Sequence, residues 1–214
     1  MTFEAVIPGL IAFGFGIYLL ILYIGDRDDE FDHNKMLLFM AVGMIIGTLF
    51  LIAEMPFSAS WILLAFVALF EELTKFIILN RKKYQGELST MWYGAAMGFI
   101  MGAIISAEMM YLSPPSPLLN EKAYWLISFT AISFSYTAMH GSTGALIGFG
   151  SYSNAGMKYL WKAVFVHFLF FLIPFAPIPK EFAILLLAAY SGFNYIRIHD
   201  TLGRERFKIE RISG

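Results

Sequence analysis

The chain has 214 residues, of which 58% are apolar, 17% aromatic and only 14% charged, with a net charge of −1 and a mean hydropathy of +0.67. A soluble domain runs about 45–50% apolar and about 25% charged, and a chain this short keeps roughly a quarter to a third of its unfolded surface exposed. A soluble globule, a disordered chain and a basic nucleic-acid binder are therefore excluded, as are disulfides, thiolate metal sites and thiol nucleophiles, because cysteine is absent.

What remains is an all-α integral membrane protein, a polytopic bundle in one compact domain. A helix needs about 20 apolar residues to cross the hydrocarbon layer. In chain order the runs that qualify are Ala5–Ile24, Met36–Ala53, Ser58–Leu79, Met91–Leu112, Ala123–Gly150, Lys158–Pro174 and Glu181–Ile198. The breaks are chemical as well as hydropathic. Asp26 to Lys35 is a charged loop, Arg81, Lys82 and Lys83 close the third run, and Ser113-Pro114-Pro115-Ser116-Pro117 cannot continue a helix. The first run lacks the basic flank and small-residue cleavage site of a signal peptide. Glu54 falls at the wet end of the second run.

Seven transmembrane helices put the termini on opposite sides. With the N-terminus outside, twelve Lys and Arg lie on the inner side, and only Lys122 and Lys180 on the outer. That bias predicts a cytoplasmic C-terminus. Residues 1–200 form the membrane domain, and 201–214 a short basic cytoplasmic tail lying on the lipid surface. The expected location is the cell membrane, as a multi-pass protein in contact with lipid and not with nucleic acid. Glycines recur every four residues, at Gly43 and Gly47, at Gly94, Gly98 and Gly102, and at Gly144 and Gly148. In a bilayer this spacing lets helix backbones approach closely.

Six ionisable groups fall inside the runs: Glu71, Glu72, Lys75, Glu108, His140 and His167. Each such group costs about 2.5–3.5 kcal/mol near the bilayer centre and is functional by default. At about 1.5 Å rise per residue, Glu71, Glu72, His140 and His167 all fall within roughly 6 Å of the midplane, the first three on its cytoplasmic side. Glu108 falls roughly 10 Å toward the outer face. Lys75 is four residues from Glu71 and three from Glu72, so it shares a helix face with both. Adjacent carboxylates in a low dielectric do not both stay ionised without a cation. Lys75 can neutralise one and leave the other for acid–base work, while the histidines can hold a metal, donate to an oxyanion or carry protons. The plain alternatives are a structural ion pair for the Glu–Lys group and interhelical hydrogen bonds for the histidines. Phe165, Phe168, Phe170 and Phe171 read as lipid or core packing, and Met97, Met101, Met109 and Met110 as packing.

The run Phe70-Glu71-Glu72-Leu73-Thr74-Lys75 resembles the EExxK motif of the PrsW family of intramembrane proteases, part of the wider CAAX- and bacteriocin-processing protease superfamily. The order continues with Gly94 and Gly98 leading to Ala107-Glu108 and Tyr111, then His140-Gly141, then His167. Met109 stands where the family has Asn, and Phe171 where CAAX-type relatives have Asp or Asn. The resemblance covers about half the chain. It implies hydrolysis of a peptide bond in a membrane protein or peptide, with Glu71, Glu72, His140 and His167 catalytic and Lys75 and Glu108 in support. Two versions fit these residues. In one, a glutamate takes the proton of water and a histidine stabilises the oxyanion. In the other, His140, His167 and Glu72 hold Zn²⁺ and the second glutamate is the base. The superfamily also includes the non-catalytic scaffold subunit of gamma-secretase, so a scaffold is the alternative reading. A proton-coupled transporter is a third.

Overall fold

The computed structural model describes residues 3–25, 27–54, 60–112 and 122–213. The proline-rich break at 113–117 and the side chains of Glu54, Met110, Tyr111, Lys122 and residues 205–214 lie outside the described residues. Among those described, every regular element is helical: α1 (Phe3–Ile24), α2 (His33–Glu54), α3 (Trp61–Leu79), α4 (Ser89–Leu112), α5 (Lys122–Tyr152), α6 (Gly156–Leu172) and α7 (Lys180–Ser213), with short 3-10 turns at Asp28–Glu30 and Ile173–Phe175.

The seven helices fall on the seven apolar runs. Their ends follow local chemistry. Gly25 (φ 57°) follows α1, Gly86 (φ 79°) lies in the α3–α4 loop, and Asn154 (φ 53°) lies between α5 and α6. These are left-handed conformations that glycine and asparagine tolerate best. Pro174 turns the end of α6 into a 3-10 turn. One boundary differs from expectation: α7 runs unbroken to Ser213, so the basic segment after Thr201 continues the last helix.

Among the described residues, three helical segments are long and apolar enough to cross a membrane: His33–Ile52, Ser89–Met109 and Gly156–Phe175. Leu10–Ile24 is apolar but shorter. The seven runs are therefore not seven equally clear spans. α3 carries Glu71, Glu72 and Lys75 within 19 residues. α5 is diluted by eight Ser and Thr and four Gly. The exterior is strongly apolar: Leu37, Ile45, Phe66, Phe165, Phe182 and Ile196 all project outward. An apolar exterior around buried charges is the inverse of a soluble fold and suits a bilayer.

α4 is the central post. It packs against α1, α2 and α5, and Trp92, Met97, Phe99 and Met101 are fully buried. The glycines make this possible. A Cβ on Gly94 would overlap the carbonyl of Gly144, and one on Gly98 would overlap that of His140. One on Gly102 would overlap that of Tyr136, and one on Gly43 that of Met97. The α4–α5 seam is thus a backbone-to-backbone contact of the kind small residues permit. α3 and α6 pack together and against α5. Loop bonds lock the frame: Trp92 Nε1 donates to Glu30 Oε2 (3.0 Å), the Asp32 amide to Tyr93 Oη (2.9 Å), and Thr90 Oγ1 to the Tyr84 carbonyl (2.7 Å).

Candidate functional site

The site lies where α3, α5 and α6 meet. α3 contributes Glu71, Glu72 and Lys75, α5 contributes His140 and Thr143, and α6 contributes His167. All six are fully buried. Glu71, Glu72, His140 and His167 each place one ligand-type atom within 4.8 Å of the others. The four groups that helix rise puts at nearly one level thus come together.

Glu72 is the anchor. Its Oε1 accepts from Lys75 Nζ (2.7 Å), from Thr143 Oγ1 (3.0 Å) and from His167 Nδ1 (2.8 Å). Lys75 therefore pairs with the carboxylate three residues away, through a contact that both fully buried side chains shelter from solvent. Its ammonium also donates to Thr143 Oγ1 (2.9 Å) and reaches His140 Nδ1 at 3.3 Å.

These contacts assign protons. An ammonium has donors and no lone pair, so the contact with Lys75 makes His140 Nδ1 an acceptor. The proton of a neutral His140 then sits on Nε2, which is buried with no hydrogen-bond partner. For His167 the logic runs the other way. Its Nδ1 faces an engaged carboxylate oxygen, so Nδ1 carries a proton and donates. Nε2 lies 3.2 Å from Glu71 Oε2, off the axis of an aligned hydrogen bond, and in the neutral imidazole it points a lone pair there. Two acceptors at that distance call for a proton or a cation between them. Glu72 Oε2, like His140 Nε2, is buried without a partner.

The donor set can hold a metal ion. Imidazole and carboxylate suit zinc, which would acidify a bound water or polarise a carbonyl. Glu71 and His167 are disposed for such a role as described. Glu72 and His140 belong to the same candidate group, and while His140 Nδ1 stays with Lys75 the tautomer it adopts decides whether it ligates.

Aromatic rings close the site. The His140 and His167 rings meet edge to face at 4.8 Å, Tyr136 stacks on His140, and Phe171 lies 4.5 Å from His167. Phe170 and Phe171 thus pack in the core, and Phe165 faces outward. An apolar groove lined by Phe66, Leu69, Trp161 and Phe168 runs between α3 and α6, the helices that carry both glutamates and His167.

Glu108 and Thr143 complete the picture around the cluster. Glu108 is half-buried and accepts from Thr48 Oγ1 of α2 (2.9 Å), so its contact ties α4 to α2 and it stands outside the cluster. Thr143, which bridges Glu72 and Lys75, was not among the expected site residues. The signal was present: it lies three residues after His140, one turn along the same face. Ser142 is turned away and donates to the Ala138 carbonyl (2.6 Å). No family model matches the chain, and neither a curated protein nor a solved structure is found to be similar to it.

Proposed function

We propose that the chain is a seven-span intramembrane endopeptidase of the PrsW type. Its N-terminus would lie outside, its C-terminus in the cytoplasm, and its site in the cytoplasmic half of the bilayer. One observation carries this reading: two carboxylates, two histidines and a lysine from three helices converge in a fully buried cluster, with a base-like pair on one side and an unpartnered N–H on the other. In this reading Glu71 and His167 Nε2 are the proton-accepting pair. They take the proton of a water molecule as its oxygen bonds to the scissile carbonyl carbon. The negative charge moves to the carbonyl oxygen, which His140 Nε2–H stabilises. Collapse breaks the C–N bond, and the proton passes from the Glu71–His167 pair to the departing amine. Glu72 and Lys75 touch no reacting atom. They fix both imidazoles in the required tautomers. The groove between α3 and α6 offers an apolar membrane segment a lateral approach.

A scaffold is the competing reading, favoured by the complete burial of the cluster. Against it stand Glu72 Oε2 and His140 Nε2, since a polar knot that only holds helices together gains most when every member is satisfied. The test is to map new peptide termini in the membrane proteome of cells making the wild type, Glu71→Gln or His140→Ala. Termini that depend on both residues are expected, with both variants present at wild-type level. Identical termini in all three would overturn the protease reading. Unchanged termini with a lowered melting temperature in Glu71→Gln would establish the scaffold.

A further inference from the structure

Thr130, Ser133, Thr137, His140 and Thr143 recur along α5 at spacings of three, four, three and three. At about 100° per residue, Ser133, Thr137 and His140 lie within roughly 60° of one another on the helix. Ser133, Thr137 and His140 are fully buried, and Thr130 is half-buried. The hydroxyls of Ser133 and Thr137 have no hydrogen-bond partner, like His140 Nε2 beyond them.

That state is a choice of side-chain direction and not a property of hydroxyls on this helix. Ser135 and Ser142 donate to the carbonyls four residues back, both at 2.6 Å. Ser133 and Thr137 have the same option and do not take it. Side chains three or four apart on a helix stand about 5–6 Å apart, the span of two hydrogen bonds meeting at one water oxygen. Buried polar groups left without protein partners are where structural water sits.

We infer that Ser133, Thr137 and His140 Nε2 hold a single file of water inside the bundle, running along α5 from the half-buried Thr130 to the Glu71–His167 pair. Its ligand is water itself. The file stands on the α5 geometry alone. Its role, supply of the hydrolytic water to a site sealed from solvent, rests on the protease reading. Ser191 of α7 is a third buried hydroxyl without a partner, one residue from Gly192, which lies beside the Phe134 ring.

The chain has no cysteine, so single thiols can be introduced without background. Ser133→Cys, Thr137→Cys and the outward-facing Ile127→Cys are reconstituted in nanodiscs and treated with Ag⁺, a probe little larger than water. Modification is read as protection from maleimide after unfolding. Thiols ionise, and so react, only where water reaches them. Modification at 133 and 137 is expected to be about tenfold faster than at 127. Rates at both sites no faster than at 127 overturn the file. Where either variant fails to fold, X-ray radiolysis of the unaltered protein decides, because radicals form on bound water. Oxidation of Tyr136 well above that of buried Phe149 is expected, and equal oxidation overturns the file. Neither readout needs cleavage, so failure of the protease reading leaves both intact. If cleavage is found, Thr137→Val lowers kcat and leaves KM unchanged.

Discussion

Lys75 is the residue whose removal tests the electrostatic design most directly. It is fully buried on α3, with its ammonium 2.7 Å from Glu72 Oε1 and 2.9 Å from Thr143 Oγ1. Lys75→Met keeps most of the stem and deletes the charge, leaving Glu72 uncompensated. Breaking a buried pair by removing one partner costs about 3–5 kcal/mol. At roughly 2–4 °C per kcal/mol for a domain of this size, melting falls by about 6–20 °C. Interhelical hydrogen bonds in membranes average only about 0.6 kcal/mol. A drop beyond about 3 °C therefore marks the loss of a charge and not of one bond. The decisive comparison is the double variant Lys75→Met with Glu72→Gln, in which both charges leave together. The contact geometry predicts a coupling of about 1–3 kcal/mol that restores stability, and a smaller rescue by Glu71→Gln, because the short contact is to Glu72. The assay is thermal unfolding in nanodiscs, followed by fluorescence of the four tryptophans. A double variant no more stable than Lys75→Met alone would refute the pairing.

Glu108→Gln removes the charge but keeps an oxygen for Thr48. It should shift stability by less than about 1 kcal/mol and leave any Glu71-dependent cleavage unchanged; loss of cleavage would return Glu108 to the site. Gly98→Ala presses a methyl group into the His140 carbonyl and should destabilise by about 1–3 kcal/mol. Gly14→Ala meets nothing within 4 Å and should be neutral or stabilising by up to about 1 kcal/mol; equal melting temperatures for the two variants would remove the close-seam argument. Because Lys75 occupies His140 Nδ1, Glu71-dependent cleavage is expected to survive EDTA. Loss on chelation with recovery on adding Zn²⁺ would show that the histidine is released from the lysine and takes the metal.

The helices were legible because bilayer solvation writes them in long, coarse units. Apolar runs had to end where Arg81, Lys82 and Lys83 or the glycine at 25 stand, and all seven helices fall on those runs. The last boundary was not legible in the same way. Basic residues after Thr201 are good helix formers, so loss of hydropathy marks the edge of a span there and not the end of α7. The glycine spacing announced a close seam on each helix separately. That Gly94 and Gly98 of α4 meet Gly144 and His140 of α5 is a pairing that no single helix encodes.

The cluster shows the same division at finer scale. A common level for Glu71, Glu72, His140 and His167 follows from counting residues along helices, and the four side chains converge. Glu108 was separable by that same count, and its tie to Thr48 agrees with the distance. Which carboxylate Lys75 neutralises was a different kind of question. Spacings of three and four both place the partner on the lysine's face, and local preference separates them by only tenths of a kcal/mol. The choice comes from across the interface. Thr143 and His140 on α5 and Nδ1 of His167 on α6 all converge on the Lys75–Glu72 side. Those contacts to charged groups are each worth about 1.5–3 kcal/mol when buried, so they overrule the helix. The division of labour between the glutamates is thus a tertiary decision. Glu72 is held by three donors at one oxygen, and Glu71 Oε2 lies 3.2 Å from His167 Nε2. A residue seventy positions away, Thr143, does as much to set that division as the EExxK spacing does.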